Sequence, residues 1–455
     1  MKRHSGFLGF SILWSGQLLS AVGTRMTNFA LGIWVWDRTG SATDMAMLMF
    51  SAFAATIVFS PLAGSLIDRL HRRVTIMLSD IGSAVVTAAL LVLYLTSSVN
   101  IGELYAVNVL TGMFLAFQLP AYQATIAQMI ERGNYVRANG MMGLVISVPD
   151  VFAPLLAAAV LAATSIKTVL IIDAASYLIA IAVVFLVDIP PTPERVEEDK
   201  PGFLRDAVAG FSYIRKRPSL LSLLTIMFVV SFLAAFGWVL LAPLVLASTG
   251  NSSGRLGVVV AAGAIGGALG GIALTVLPQT KDKMLRMLIG MLVLALPGRI
   301  LLGMAHSVPL WSVSLFIGWA AIPFIDGYNQ SIWQEKVDPA MRGRVFAVGQ
   351  MVENLAIPVA LGLSGPLADD VFEPAMRPGG ALRGLFSHLV GTGPGSGIAV
   401  MYVLSGALGA LAAVFGFILP RVRRVESLLP DAIEEAGPAA GPAPSVLPES
   451  AASFD

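Results

Sequence analysis

The sequence has no cysteine and little charge, and both absences narrow the classes of protein to which it can belong. With no Cys among 455 residues, disulfides and thiolate metal sites are excluded. Asp, Glu, Lys and Arg make up 13% of the chain, against about 25% in a soluble domain. The net charge of +1 provides no field that would attract nucleic acid, so no nucleic-acid partner is expected.

Catalytic motifs are also missing. The sequence contains no phosphate-binding loop, no G-x-S-x-G and no H-E-x-x-H motif, and its four histidines do not pair at metal-ligand spacing. We therefore predict that the chain is not an enzyme and uses no cofactor or metal. Because the sequence has no ATP-binding motif, any movement of a solute against its gradient would by default use the proton gradient as its energy source.

Long apolar runs dominate the sequence, which is 56% hydrophobic with a mean hydropathy of +0.79. A helix needs about 20 apolar residues to cross the hydrocarbon layer. Runs of this length predict an all-α membrane protein with twelve transmembrane helices, at 7–36, 43–67, 74–96, 104–128, 141–163, 168–187, 219–247, 256–277, 284–305, 310–333, 345–369 and 398–420. The first run is too long for a signal-peptide core, so we interpret it as an uncleaved helix.

A proline-rich, charged stretch at 188–218 divides these spans into six plus six. We predict one six-helix bundle over 1–187, a cytoplasmic linker over 188–218 and a second bundle over 219–424. Residues 425–455 are rich in Ala, Pro, Glu and Ser and lack periodicity, which predicts a disordered cytoplasmic tail. Most of the 29 Lys and Arg residues fall in alternate loops, which predicts a cell-membrane protein with both termini in the cytoplasm.

The loop after the second span reads GSLIDRLHRR from Gly64 to Arg73. It resembles the major facilitator signature G-x-x-x-D-R-x-G-R-R and departs from it at His71. Other stretches resemble the macrolide-efflux branch of the drug:proton antiporters, namely Pro120-Ala121-Tyr122, Arg137-Ala138-Asn139-Gly140, Gly343-Arg344-Val345-Phe346 and Gly365-Pro366-Leu367-Ala368-Asp369. The resemblance implies the major facilitator fold and an exporter of small amphiphilic compounds, such as a macrolide-like drug, that works by alternating access between two bundles.

The signature loop is the predicted gate. Small Gly64 permits close helix approach, and the carboxylate of Asp68 could cap a helix N-terminus. The resemblance nominates the start of the eleventh helix, near Arg344, as the partner. The alternative is a cationic cluster that only fixes orientation, and in either case the loop includes Arg69, Arg72 and Arg73.

Polar stripes in three predicted helices mark faces that avoid lipid, because residues three, four or seven apart share a helix face. The resemblance places helices one, four, seven and ten around a central cavity. The predicted substrate-cavity residues are Gln17, Arg25, Asn28, Asn108, Gln118, Tyr122, Trp319 and Gln330. The alternative interpretation is ordinary hydrogen bonding between helices.

Three acids deep in the predicted spans are candidates for carrying the coupling proton, because a charge in hydrocarbon is costly and usually functional. They are Asp150, Asp326 and Glu353. Arg25 would hold any acid that it pairs with in the ionised form. We expect structural roles for Asp80 and Asp173, and we expect Arg299 to extend toward the membrane surface.

The expected partners are a small-molecule substrate, protons and membrane lipids, and the expected state is a monomer. Two alternatives stay open: a lipid or siderophore transporter on the same fold, and a membrane receptor or regulatory protein that has lost transport. The acids inside the spans favour an active transporter, because a protein that has lost transport has no need of charge buried in the membrane.

Overall fold

A computed structural model of the chain describes residues 5–67, 72–96, 99–130, 135–189, 203–278, 280, 282–339 and 341–428. Twelve helices in these residues are long and apolar enough to cross a membrane, which confirms the predicted number of spans and the all-α fold. They are α1 (Gly6–Thr39), α2 (Ala42–Ile67), α3 (Arg72–Leu95), α4 (Ile101–Met129), α5 (Tyr135–Ala163), α6 (Ile166–Leu186), α7 (Pro218–Thr249), α8 (Ser253–Val276), α9 (Lys283–Met304), α10 (Val308–Lys336), α11 (Arg342–Met376) and α12 (Ser396–Ile418).

Two of these helices contain a π-helical turn, at Leu296–Ile300 in α9 and at Leu367–Phe372 in α11. Pro297 has no backbone N–H and cannot make the usual bond to the preceding turn. A π turn holds one extra residue and so rotates the side chains around it, which is why such turns are frequent at functional sites.

The twelve helices form two six-helix bundles with the same internal packing. In the N-terminal bundle α1 packs on α5 and α6, α3 packs on α4 and α6, and α2 packs on α4. In the C-terminal bundle the equivalent pairs recur, with α7 on α11 and α12, α9 on α10 and α12, and α8 on α10. Glycine allows the closest approaches, for example Gly112 against the Ala52 carbonyl and Gly266 against the Phe316 carbonyl.

The bundles meet through α2–α11 and α5–α8. We name the side where α1 begins and α12 ends the terminal side, and the opposite side the far side. On the far side one apolar cluster combines both bundles, and the Trp36 indole donates to Asn251 Oδ1 at 2.8 Å. On the terminal side, within the described residues, each bundle has its own cluster, one around Ile76 and one around Ile332. A central cavity therefore opens to the terminal side.

Ordered structure extends into both segments that the sequence assigned to linker and tail. The linker contains a helix, Phe203–Arg215, and a Cβ added at Gly210 would lie 2.6 Å from the Arg344 carbonyl oxygen at the start of α11. Beyond α12, Val425–Leu428 is helical and Val425 is fully buried, so the packed chain continues past the predicted boundary at 424. Residues 190–202 and 429–455 lie outside the described residues.

Candidate functional site

An ion pair lies on the cavity face of the N-terminal bundle. Arg25 on α1 and Asp150 on α5 approach to 3.3 Å between Nε and Oδ1. Their side chains are 50% and 33% exposed. Since exposed charge in a spanning helix faces a water-filled space rather than lipid, the pair marks the cavity wall. Of the three sequence-predicted acids, Asp150 is therefore the one that the arginine holds.

Two carboxyl groups lie within electrostatic range of each other on the other side of the cavity. Asp326 on α10 is exposed, and Glu353 on α11 lies close enough to it for the two charges to repel. The Asn329 amide is within hydrogen-bonding reach of Glu353. Among the described residues neither acid forms an ion pair with Lys or Arg. One bound proton would relieve the repulsion between such neighbouring acids.

The remaining wall combines polar and aromatic groups. Asn28 on α1 and Gln330 on α10 are exposed. Trp319 on α10 is half-buried and its ring lies 5.2 Å from that of Trp238 on α7, measured between centroids. Aromatic faces beside amide groups suit a compound with both apolar and polar parts.

Four residues predicted for the cavity wall lie between helices instead. Gln17 and Gln118 each donate a hydrogen bond from Nε2 to the carboxylate of Asp80 on α3. Asn108 is 6% exposed and donates to a carbonyl of its own helix, and Tyr122 is 3% exposed. The polar stripe identifies which residues share a face, but it does not say whether the cavity or a neighbouring helix meets that face.

The predicted gating loop is only partly described. Asp68 and Arg69 lie outside the described residues, as do the surroundings of Gly64 and the side chain of Arg72. Arg73 donates from Nη2 to the Val184 and Phe185 carbonyl oxygens at 3.1 and 3.4 Å. It therefore ties the start of α3 to the end of α6.

A contact that sequence reasoning missed joins the bundles on the far side. Asp369, in the π turn of α11, accepts hydrogen bonds from Ser41 Oγ at 2.7 Å, from the Ala42 amide at 3.1 Å and from the Thr43 amide at 2.8 Å. It thus caps the N-terminus of α2, where an anion is stabilised. This is the chemistry expected of Asp68, with the two bundles exchanged. One sequence feature could have predicted this contact: Asp369 is an acid at the end of the Gly365–Asp369 stretch and at the end of a predicted span.

Arg299 differs from its expected position. The expectation that it extends to the membrane surface is wrong, because its residue is only 7% exposed and its Nη1 donates to Ser405 Oγ on α12 at 3.3 Å. The π turn of α9 contains Arg299 and directs the guanidinium into the centre of the C-terminal bundle.

Two bundles of repeated packing around a cavity that carries intramembrane charges define a transporter fold. Residues 13–361 match the Major Facilitator Superfamily, and the chain belongs to this superfamily. It is similar to Macrolide efflux protein A of Streptococcus pyogenes, with 25% identity over 382 residues that cover 82% of this chain and 92% of that protein. It is also similar to the Enterobactin exporter EntS of Shigella flexneri, with 22% identity over 369 residues, 79% of this chain and 85% of that protein.

Solved structures agree on the fold. A bacterial homologue of the human lysosomal transporter Spinster, solved in an inward-facing and unoccupied conformation, aligns with a TM-score of 0.66 and 16% identity. The alignment covers 92% of this chain and 96% of that one. The chain is therefore a multi-pass membrane transporter by family and by fold, as the signature loop predicted.

Proposed function

We propose that this protein exports small amphiphilic compounds from the cytoplasm by proton-coupled antiport, with Asp326 and Glu353 as the proton-carrying pair in the cavity. The observation that carries the proposal is that these two acids lie within electrostatic range of each other, without an ion pair to a described Lys or Arg, between bundles that share a core on the far side. The efflux proteins to which the chain is similar support the direction of transport.

The positive-inside distribution of Lys and Arg supports a cytoplasmic terminal side. The conformation described is then inward-open and ready to accept substrate from the cytoplasm. Substrate binding beside Trp319 and Gln330 would favour closure of the terminal side. Opening of the far side would release the substrate and let a proton reach the acid pair, and the proton would leave on return to the inward-open state.

The ion pair has a different role in this cycle. Arg25 compensates the charge of Asp150, so Asp150 can stay ionised while the Asp326–Glu353 pair changes its proton content. We propose that Arg25, Asn28 and the ion-paired Asp150 orient the polar part of the substrate.

Transport into inverted membrane vesicles tests the proposal. Asp326→Asn and Glu353→Gln should each lose macrolide accumulation driven by an imposed pH gradient, while energy-independent counterflow continues. The matched control is Asp282→Asn, because Asp282 is an exposed acid at the start of α9. This variant should keep both gradient-driven accumulation and counterflow. Full uphill accumulation in the Asp326→Asn/Glu353→Gln double variant would exclude the pair as the carrier.

A second candidate function is export of an iron-chelating natural product, which the similarity to an enterobactin exporter favours. The same cavity would then bind an acidic compound, and Arg25 would be the group that contacts it. Counterflow with a macrolide and with a catecholate siderophore in the same vesicles separates the two substrates.

A further inference from the structure

Two acids lie inside the N-terminal bundle, behind the cavity wall. Asp80 on α3 is fully buried and Asp173 on α6 is 1% exposed. Among the described residues, no Lys or Arg forms an ion pair with either. An ion in low-dielectric surroundings without a counter-charge is costly and is usually neutralised by gain or loss of a proton. A structural role alone, which the sequence suggested, does not explain two such groups.

Asp80 is held by neutral amides from two neighbouring helices. Its Oδ2 accepts from Gln17 Nε2 of α1 at 3.0 Å, and its Oδ1 accepts from Gln118 Nε2 of α4 at 2.7 Å. The titratable groups that face it are the hydroxyls of Tyr122 on α4 and Tyr177 on α6. A protonated Asp80 could donate to the side-chain oxygen of Gln17 or Gln118 once that amide rotates, so the two amides can serve either protonation state.

Asp173 is held by hydroxyl groups. It accepts from Thr24 and Thr27 of α1 at 3.3 and 3.0 Å, and from Thr87 of α3 at 3.2 Å. Tyr177, on its own helix, is the titratable group that faces it. The neighbouring cation of α1, Arg25, is paired with Asp150 instead. Hydroxyl groups can donate to a carboxylate and accept from a carboxylic acid, so this site also tolerates both forms.

A chain of hydroxyl groups runs from Asp173 toward Asp80 and reaches Ser83, one helical turn from Asp80. The Tyr177 hydroxyl lies 2.8 Å from Thr24 Oγ1, and it is within hydrogen-bonding reach of Ser83, which follows Asp80 by one turn of α3. Thr87, a partner of Asp173, follows Asp80 by two turns, which is about 10 Å along the axis of α3.

A small cavity with both polar and apolar lining adjoins this chain. Its volume of about 20 Å³ is enough for one water molecule. Thr24, Ser83, Asp173 and Tyr177 line it together with Asn28, and Asn28 is exposed to the central cavity. Asp173 thus shares this small cavity with Asn28, and neither Arg25 nor Asp150 lines it.

We infer that Asp173 and Asp80 form a proton relay inside the N-terminal bundle, separate from the Asp326–Glu353 pair and loaded from the central cavity beside Asn28. The inference rests on proton-coupled transport. A proton leaves the Asp173 carboxylic acid and passes through the hydroxyls of Thr24 and Tyr177 to Ser83 or a water molecule beside it, and from there it binds the Asp80 carboxylate one helical turn away. Asp173 is then ionised and Asp80 neutral, and no other bond changes.

Reconstituted full-length protein tests the relay. In Asp173→Asn and Asp80→Asn, uptake driven by a pH gradient should fall about 100-fold or more, as expected for loss of a positioned proton-transfer group, while counterflow continues. Tyr177→Phe keeps both acids and removes the linking hydroxyl, so it should slow proton-driven uptake but not counterflow. Infrared difference spectra between acidic and alkaline buffer should lose one protonated-carboxyl band in each Asn variant.

The controls separate this inference from the proposed function. Asp188→Asn, an exposed acid after α6, should behave like the unmodified protein. If a pH gradient does not drive the unmodified protein, the proposed function fails and the relay fails with it. If the gradient drives it and Asp173→Asn, Asp80→Asn and Tyr177→Phe all retain uphill uptake, only the relay is overturned. Equal loss of counterflow and uphill uptake would assign these residues a structural role and would also overturn the relay.

Discussion

The two bundles repeat the same helix contacts but bury opposite charges at matching places. The N-terminal bundle encloses Asp173 between α1, α3 and α6, and the C-terminal bundle encloses Arg299 between α7, α9 and α12. In each, a glycine on the first helix makes room for the charge. A Cβ at Gly23 would lie 2.9 Å from Asp173 Oδ1, and a Cβ at Gly237 would lie 2.7 Å from Arg299 Nη1. The two bundles therefore share the space beside this glycine, but the charge that fills it is negative in one bundle and positive in the other.

The difference lies in what each charge can do. A carboxyl group can take up a proton, whereas a guanidinium group in a protein does not release one. The hydroxyl groups around Asp173 suit either protonation state, while Arg299 has Ser405 and a cavity lined by apolar side chains such as Leu233 and Met291. The N-terminal bundle therefore holds a charge that can switch and the C-terminal bundle a charge that is permanent.

The largest expected effect tests whether the two glycines serve the buried charges. Gly23→Ala and Gly237→Ala should each lower the free energy of unfolding by about 1–3 kcal/mol, because the added methyl group overpacks the site. Thermal unfolding of purified protein in detergent measures the change. Gly143→Ala and Gly271→Ala are the controls, since a Cβ there meets no atom within 4 Å.

Double variants sharpen this test. Gly237→Ala combined with Arg299→Met should recover most of the lost stability, because the flexible Met side chain can leave the space free. Gly23→Ala combined with Asp173→Ala should recover less, since Ser176 Oγ would still lie 2.5 Å from the new Cβ. Strictly additive losses in both pairs would show that the glycines and the charges are unrelated.

The next comparison concerns the contacts between the bundles. Asp369 of the C-terminal bundle caps α2 on the far side, and Asp68 of the N-terminal bundle is predicted to cap α11 on the terminal side. A charge at a helix N-terminus contributes about 0.3–2 kcal/mol. Asp369→Asn should therefore shift the protein toward far-side opening, and Asp68→Asn should shift it the other way.

A single introduced cysteine measures both shifts, because the chain has no native Cys. Ala157→Cys places the thiol in the apolar cluster on the far side, where the residue is fully buried. Labelling by a membrane-impermeant maleimide should rise in the Asp369→Asn background and fall with Asp68→Asn. Asp370→Asn, the exposed neighbour, should leave the rate unchanged. If the labelling rate changes in the same direction in both Asn variants, Asp369 and Asp68 do not stabilise closure of opposite sides.

The twelve spans were predictable because length, apolar content and the distribution of Lys and Arg are local properties of the sequence. That Asp326 and Glu353 lie within electrostatic range of each other was not predictable, because it depends on how two helices of the same bundle are oriented. The polar stripe through Gln17 correctly identified a shared face, but the packing of α3 against that face decided that it meets Asp80.

Arg299 shows a second limit. The π turn at Pro297 adds one residue to a turn of α9, so every side chain after it points in a different direction than it would in a regular α-helix. The equivalent helix of the first bundle, α3, is a regular α-helix over Arg72–Leu95. The proline was visible in the sequence, yet the choice between a kink, a break and an inserted residue depends on the packing of the neighbouring helices.

The smallest expected effect concerns the terminal side, where the third and sixth helices of each bundle meet through a charge at a helix end. In the N-terminal bundle Arg73 donates to the last carbonyl groups of α6. In the C-terminal bundle Glu426, beyond α12, accepts from the Lys283 and Met284 amides at the start of α9, at 3.2 Å each. Both contacts match a side-chain charge to the helix dipole, again with opposite sign.

Glu426→Gln and Arg73→Gln should each lower the free energy of unfolding by about 0.3–1 kcal/mol, the usual contribution of a charge at a helix end. The two losses should add in the double variant, because the sites share no contact, and salt should reduce both. Truncation after Leu428 removes residues 429–455 of the predicted tail and keeps Glu426 and buried Val425, so thermal unfolding should be unchanged. A drop in the unfolding temperature on that truncation would show that residues 429–455 pack on the bundle, and it would overturn the tail prediction.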